Sequence, residues 1–305
     1  MSPAPLQLLR MVAAWLAGIT LAVSVGAAET PPAWQPVDWN GEKALTSTSQ
    51  GWKAIVSLER GRLMHFGPAD QAVNLILAPV NRDNPNVLGG HRLWLGPQAT
   101  WPQTWPPPKE WESSAPESFT NDGGLLRMVM ADAGDGWPRL IRTYRWDGAR
   151  LICGGELSGG QRSAQIIHII QMPEATLVEA VALADATARA GYVLLPAGPV
   201  ARLTAQFAPP PHVSRAGRAL QFHKAGSVLK LGFRPQTLAG RGQGLTLRVS
   251  RGVQTGLAAA APDQGYFTQV YLAGPEPFIE LEQLSPQFAA GAPASFAIVL
   301  EGVAR

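Results

Sequence analysis

Short alternating runs separated by turn residues are the feature of this 305-residue chain that most limits its fold. The clearest case is Asp147-Gly148, which separates the runs 139–146 and 149–156. An Asp-Gly pair between alternating runs is typical of a tight β-hairpin, because both residues tolerate a positive φ. A second hairpin is predicted for 219–224 and 227–233. The 32 glycines and 27 prolines also favour many turns over long helices.

The remaining apolar or alternating runs extend this pattern and predict an all-β fold, a large two-sheet antiparallel β-sandwich with little helix. Segment 174–190 is the exception, since its Ala, Leu and Glu content favours a helix, or else an extended arm across the sandwich. We expect one domain over 51–305, preceded by a polar lead-in over 29–50. Further strands are predicted for 72–77, 125–130, 162–171, 245–250, 267–272, 278–284 and 295–301.

The first 28 residues have the three parts of an export signal. Arg10 precedes the apolar run 11–23, and small residues follow, with Gly26 and Ala28 at the −3 and −1 positions of a cleavage site. The alternative is a retained anchor, because the run approaches the roughly 20 apolar residues that span a bilayer. We predict a cleaved signal peptide over 1–28, a periplasmic or secreted protein, and no stable membrane insertion after cleavage.

Charge and cysteine content exclude several classes of protein. The formal net charge is +3 and the basic residues are scattered, so we expect no nucleic-acid partner. The single Cys153 cannot form an internal disulfide, and it is predicted to be a small buried hydrophobic residue. The five histidines lack the spacing of metal ligands, so no metal and no cofactor is predicted. We expect a monomer.

A His-Arg pair interrupts an apolar strand directly after two glycines. Alternation along this strand places His91, Leu93 and Leu95 on one face, and Arg92 with Trp94 on the other. The pair is therefore a candidate for ligand binding. The alternative is structural, with His91 as a hydrogen-bonded core histidine and Arg92 as a partner in an ion pair.

A tryptophan-rich loop follows the same strand, with Trp94, Trp101, Trp105 and Trp111 all between positions 94 and 111. Flat indole rings complement the apolar C–H faces of pyranose sugars, and their N–H groups remain free to bind hydroxyls. Prolines stiffen the loop and lower the entropy cost of holding the rings in place. The loop is a candidate sugar-binding surface, or else a lid that packs its tryptophans on the sandwich.

Two further strands carry residues that could act on a sugar. His168 lies in a β-branched strand on the same face as Ile166 and Ile170, so it is either a buried structural imidazole or a general acid. Glu280 and Glu282 share one face of their strand, about 6–7 Å apart. Such a pair suits either a base with an orienting neighbour or the recognition of sugar hydroxyls. The structural alternative is a solvent-exposed face whose carboxylates pair with nearby arginines.

Together, the segments 89–97, 105–108 and 279–286 resemble an uncharacterised bacterial family related to the galactose mutarotase superfamily. The resemblance implies a large β-sandwich with a sugar cleft on a concave face. It also implies aldose 1-epimerisation, with Glu282 as the base and His168 as the acid.

The resemblance assigns the remaining site residues as well. It makes His91 a further catalytic candidate, with Arg92 and Arg82 as basic contacts to sugar hydroxyls. Trp94, Trp105 and Glu280 complete the predicted binding surface. The partner is then a free sugar or the terminus of a polysaccharide. Three functions stay open, namely an epimerase, a non-catalytic carbohydrate-binding protein and a sandwich that cleaves polysaccharides.

Overall fold

The structure is a computed structural model that describes residues 31–78, 88–103, 105–181, 190–195, 213–223, 228–274 and 276–304. Within these ranges the chain forms 21 strands, one four-residue helix, α1 (Lys109–Glu112), and 3-10 turns at Gln98–Thr100 and Asp263–Gly265. The strands are β1 (Gln35–Trp39), β2 (Glu42–Ser49), β3 (Trp52–Ser57), β4 (Arg62–Pro68), β5 (His91–Gly96), β6 (Ser118–Asp122), β7 (Leu125–Val129), β8 (Arg139–Asp147), β9 (Arg150–Ser158), β10 (Ala164–Pro173), β11 (Leu177–Val181), β12 (Val193–Leu195), β13 (Val213–Ala216), β14 (Ala219–Phe222), β15 (Val228–Phe233), β16 (Thr237–Gly242), β17 (Leu245–Thr255), β18 (Ala258–Ala260), β19 (Thr268–Ala273), β20 (Phe278–Phe288) and β21 (Ala294–Ala304).

Three antiparallel sheets contain these strands. The first is a meander in the order β1-β2-β3-β4. The second has seven strands in the order β12-β15-β19-β20-β10-β5, with β18 paired to β20. The third has ten strands in the order β13-β14-β11-β16-β17-β21-β9-β8-β7-β6. The predicted hairpin at Asp147-Gly148 joins β8 to β9, and Gly148 takes a φ of 61° there.

The second and third sheets pack face to face and enclose most of the core. Gly155 of β9 shows how closely they approach, because a Cβ placed there would lie 2.9 Å from the Ile166 side chain and 3.2 Å from that of Leu93. Only a glycine leaves room for this contact. The prediction of an all-β sandwich with little helix is therefore confirmed.

Two strand predictions are wrong for reasons that lie in tertiary structure. The hairpin expected for 219–224 and 227–233 does not form, because β14 pairs with β11 and β13 in the third sheet while β15 pairs with β12 and β19 in the second. Segment 72–77 is not a strand. The Asn74 side chain accepts hydrogen bonds from the backbone N–H groups of Phe66 and Ile76, which replaces a ladder with local side-chain bonds.

Segment 174–190 and the predicted lead-in over 29–50 also contain strands. Within 174–190 the described part includes β11, where buried Val178 and Ala180 alternate with Leu177 and Glu179. This two-residue period, fixed by the neighbouring strands β14 and β16, outweighs helix propensity. The predicted lead-in over 29–50 contains β1 and β2 of the first sheet.

No helix in the described part of the chain is long and apolar enough to cross a bilayer. The predicted signal peptide over 1–28 lies outside the described residues, so export stays a prediction.

Candidate functional site

A cavity of about 440 Å³ lies on the outer face of the second sheet, the face turned away from the core. Five adjacent strands, β15, β19, β20, β10 and β5, supply its floor, because alternate side chains of each strand point outward. The loop after β5 supplies Trp105 at one side. The lining residues are Arg92, Trp94, Gln98, Trp105, Ile167, Ile169, Val228, Lys230, Asp263, Gln269, Tyr271, Ala273, Glu276, Phe278, Glu280, Glu282 and Leu284.

Strand β5 divides its side chains between cavity and core as alternation predicts. Arg92 and Trp94 line the cavity, whereas His91, Leu93 and Leu95 are buried in the core. Strand β5 therefore presents a polar and aromatic surface to the cavity and mainly apolar side chains, together with His91, to the core.

Glu112, in α1, is a site residue that the sequence did not indicate. Its carboxylate accepts hydrogen bonds from Arg92, with Nε at 2.8 Å, and from the indole Nε1 of Trp94, and it lies 3.3 Å from Nη2 of Arg62. Burial alone would raise the pKa of Glu112, but the charges of Arg92 and Arg62 lower it below its usual value. Glu112 is thus an anion that holds two cavity-lining side chains in place without lining the cavity itself.

Glu280 lies on the other side of Arg92. It accepts hydrogen bonds from Arg92 Nη1 and from Gln171 Nε2, both at 3.0 Å. Gln171 is held in turn by the backbone N–H of Gly89, which donates to its Oε1 at 2.9 Å. Burial raises the pKa of Glu280, Arg92 opposes that rise, and the neighbouring Glu282 adds to it. This carboxyl group is therefore easier to protonate than an exposed glutamate.

Glu282 and Tyr271 lie further along the same cavity floor. Glu282 forms an ion pair with Lys230, with Oε2 and Nζ 3.0 Å apart. Burial and the carboxylates around it raise the pKa of Tyr271 to about 12. Tyr271 therefore keeps its proton at neutral pH, so it can donate a hydrogen bond and is a poor general base.

The four clustered tryptophans divide into two pairs. Trp94 and Trp105 line the cavity with ring centroids 5.5 Å apart, and Trp105 is 38% exposed. Trp101 packs edge-on against Trp94 and donates from Nε1 to the carbonyl of Leu95 at 2.7 Å. Trp111 is buried in the core. Trp94 and Trp105 therefore face the cavity, where a sugar-binding surface was predicted, whereas Trp101 and Trp111 pack on the sandwich as in the alternative prediction.

The two histidines predicted as catalytic residues lie in the core. His168 Nε2 donates to the carbonyl of Phe296 at 3.0 Å, so its Nδ1 accepts from Nε2 of His91 at 2.9 Å. Burial lowers the pKa of His168 to about 3 and lowers that of His91 well below its usual value. Both rings are therefore neutral structural groups.

The register of β10 and β20 explains why His168 cannot work opposite Glu282. His168 pairs with Gln283, whereas Ile169 pairs with Glu282. Because cross-strand neighbours share a face, Glu282 points outward with Ile169 and His168 points into the core. The predictions that His168 and His91 act in the cavity are wrong, since the sheet separates them from it. Arg82 lies outside the described residues.

Two other expectations concern Cys153 and metal binding. Cys153 is fully buried, as predicted, and burial raises the pKa of its thiol. Among the residues with described positions, no group of three or more His, Cys, Asp or Glu side chains is arranged to hold a metal ion.

Comparison with known proteins identifies the fold. No protein-family model and no curated protein sequence matches the chain. A galactose mutarotase-like protein from Lactobacillus casei is 10% identical with a TM-score of 0.59, covering 85% of this chain and 100% of that one. A galactose mutarotase related enzyme from Lactobacillus acidophilus is 8% identical with a TM-score of 0.57, covering 86% and 97%.

A third solved structure, a candidate aldose 1-epimerase from Escherichia coli K12, is 10% identical with a TM-score of 0.59, covering 86% of this chain and 99% of that one. The chain therefore has a galactose mutarotase-like fold, as the sequence resemblance indicated. At such low identities the similarity extends to the fold and not to the activity.

Proposed function

We propose that this protein binds a carbohydrate in the cavity on the outer face of its second sheet, after export from the cytoplasm. One observation carries the proposal, namely that Trp94 and Trp105 meet hydrogen-bonding side chains in a single cavity of about 440 Å³. Aromatic rings next to fixed polar groups suit a pyranose ring, which has apolar faces and a rim of hydroxyls. The mutarotase-like fold of the solved structures agrees with this ligand class.

Binding without catalysis is the form of this function that the geometry supports best. The acid histidine implied by the sequence resemblance lies behind the sheet, and in the described part of the cavity no histidine replaces it. Four of the polar side chains that line the cavity, Arg92, Lys230, Glu280 and Glu282, are held in ion pairs, which suits recognition of hydroxyls.

An epimerase stays a second candidate because Glu282 faces the cavity, where it could accept a proton from an anomeric hydroxyl. The proton donor to the ring oxygen would then be a group other than His168. Tyr271 lines the same cavity and is protonated at neutral pH.

Binding is tested by calorimetric titration of the purified protein with a panel of hexoses. Trp105→Ala is expected to weaken the affinity about tenfold, because one stacking surface is lost. Phe119→Ala is the matched control, since Phe119 is an exposed aromatic residue outside the cavity and its loss should leave the affinity unchanged. If no hexose or hexose derivative binds, the proposal is wrong.

Catalysis is tested by NMR on freshly dissolved α-glucose and α-galactose. A binding protein leaves the rate of anomerisation at its spontaneous value. If the protein accelerates anomerisation and Glu282→Gln abolishes the effect, the protein is an epimerase.

A further inference from the structure

The described lining of the cavity contains more carboxylates than cations. It has two cations, Arg92 and Lys230, and four carboxylates. Both cations already have partners, since Arg92 lies between Glu112 and Glu280 and Lys230 pairs with Glu282. Neither cation is therefore available to neutralise an anionic ligand.

The other two carboxylates, Asp263 and Glu276, belong to segments next to the sheet rather than to its strands. Within the described residues, the carboxylate of Asp263 accepts one hydrogen bond, from the backbone N–H of Gln98 at 3.3 Å. Neither carboxylate has a cationic partner among the described residues. Negative charge left over in a partly enclosed cavity attracts a cation and repels an anion.

An independent observation at the same cavity points to a hydrogen-bond donor on the ligand. Gln269 is 1% exposed, and its Nε2 donates to the carbonyls of Asp263 and Tyr266 at 3.1 and 3.0 Å. These two acceptors fix the orientation of the amide, and its Oε1 is left buried without a partner among the residues that the structure describes. A buried acceptor without a donor costs free energy that a ligand can recover.

We infer that the cavity takes an amino sugar with a protonated amine, which rests on the proposed carbohydrate-binding function. An ammonium group offers three donors and one positive charge. Asp263, in the segment that holds the Gln269 amide, supplies a compensating charge, Oε1 of Gln269 supplies a neutral acceptor, and Glu276 adds to the negative potential of the same cavity. A neutral hexose can satisfy the acceptor but leaves both carboxylates uncompensated. Phosphorylated sugars and uronic acids add negative charge to a cavity that already has an excess of it.

The test is a calorimetric titration at pH 6.5 with glucosamine, glucose, N-acetylglucosamine, glucuronic acid and glucose 6-phosphate. Glucosamine is expected to bind at least tenfold more tightly than glucose, and N-acetylglucosamine, whose amide is uncharged, should resemble glucose. The two anionic sugars should bind more weakly than glucose. Raising the pH until the amine of glucosamine loses its proton should remove the preference.

A variant links the preference to the two carboxylates. In Asp263→Asn combined with Glu276→Gln, the ratio of glucosamine to glucose affinity should fall towards one. Glu117→Gln removes an exposed carboxylate that does not line the cavity, so it should leave the ratio unchanged. A circular dichroism spectrum matching that of the unaltered protein ensures that the double variant is folded.

The outcomes separate this inference from the function on which it rests. If glucose or an anionic sugar binds as tightly as glucosamine, the inference is overturned while carbohydrate binding stands. The same holds if the preference persists in the double variant. If none of the five sugars binds, carbohydrate binding itself fails.

Discussion

The carboxylate of Glu112 holds side chains from two strands next to the cavity. It bonds to Arg92 and Trp94 of β5 and to Arg62 of β4, so one carboxylate links the short helix α1 to two strands. Alternation along β5 was enough to predict that Arg92 and Trp94 share a face. The role of Glu112 could not be predicted, because no periodic pattern connects a glutamate outside the predicted strands to a strand 18 residues earlier.

We predict that Glu112→Gln lowers the free energy of unfolding by about 3–5 kcal/mol, because two buried arginines lose their shared counter-charge. Urea denaturation followed by tryptophan fluorescence measures this change. The matched control is Glu117→Gln, whose ion pair with Arg139 is exposed, and it should change stability by less than about 1 kcal/mol. Equal losses in the two variants would contradict the role given to Glu112.

At the scale of strands and turns, the sequence was informative where the signal was local. The Asp147-Gly148 hairpin and the two faces of β5 and β20 depend on neighbouring residues only. The segment around β14 and β15 failed because its strands pair with distant parts of the chain in different sheets. Likewise, the sheet that separates His168 from Glu282 is set by the register of β10 against β20, which one strand does not encode.

A glycine in β21 provides a test of contact between elements. A Cβ on Gly302 would lie 2.0 Å from the indole of Trp52 in β3, whose ring is stacked on Phe66 at 5.5 Å. We predict that Gly302→Ala destabilises the protein by about 1–3 kcal/mol, because the indole must move.

Gly242→Ala is the control for this substitution. Gly242 also lies in a strand without a positive φ, and among the described residues its Cβ would meet only the Thr176 hydroxyl at 3.7 Å. Its replacement should leave thermal stability unchanged or raise it by up to about 1 kcal/mol. If both alanine variants shift the melting temperature equally, Trp52 does not restrict the space at Gly302.

For the molecule as a whole, burial of neutral histidines links stability to pH. His65, like His91 and His168, has its pKa lowered by burial, in this case to about 4. In the unfolded chain these histidines take up protons below about pH 6.5, whereas in the folded protein they stay neutral. Unfolding therefore takes up protons, and stability falls as the pH drops below 6.5.

We predict a loss of about 2 kcal/mol for each buried histidine between pH 6.5 and pH 5, measured by urea denaturation at both values. His65→Gln should make the total loss smaller by the amount that one histidine contributes, about 2 kcal/mol. His223→Gln should leave it unchanged, because His223 is exposed. Equal stability of the unaltered protein at pH 6.5 and pH 5 would show that the core histidines are not held neutral.

The two faces of β20 also bear on how the chain finds its register during folding. A shift of β20 by one residue against β10 would turn Glu280 and Glu282 into the core and expose Ile279 and Leu281 in their place. On the core face the two carboxylates would lose Arg92 and Lys230 as partners, which would make that alternative pairing strongly unfavourable. The acidic residues that line the cavity therefore also act against misfolding, and replacing both with apolar residues would remove this penalty on the shifted register.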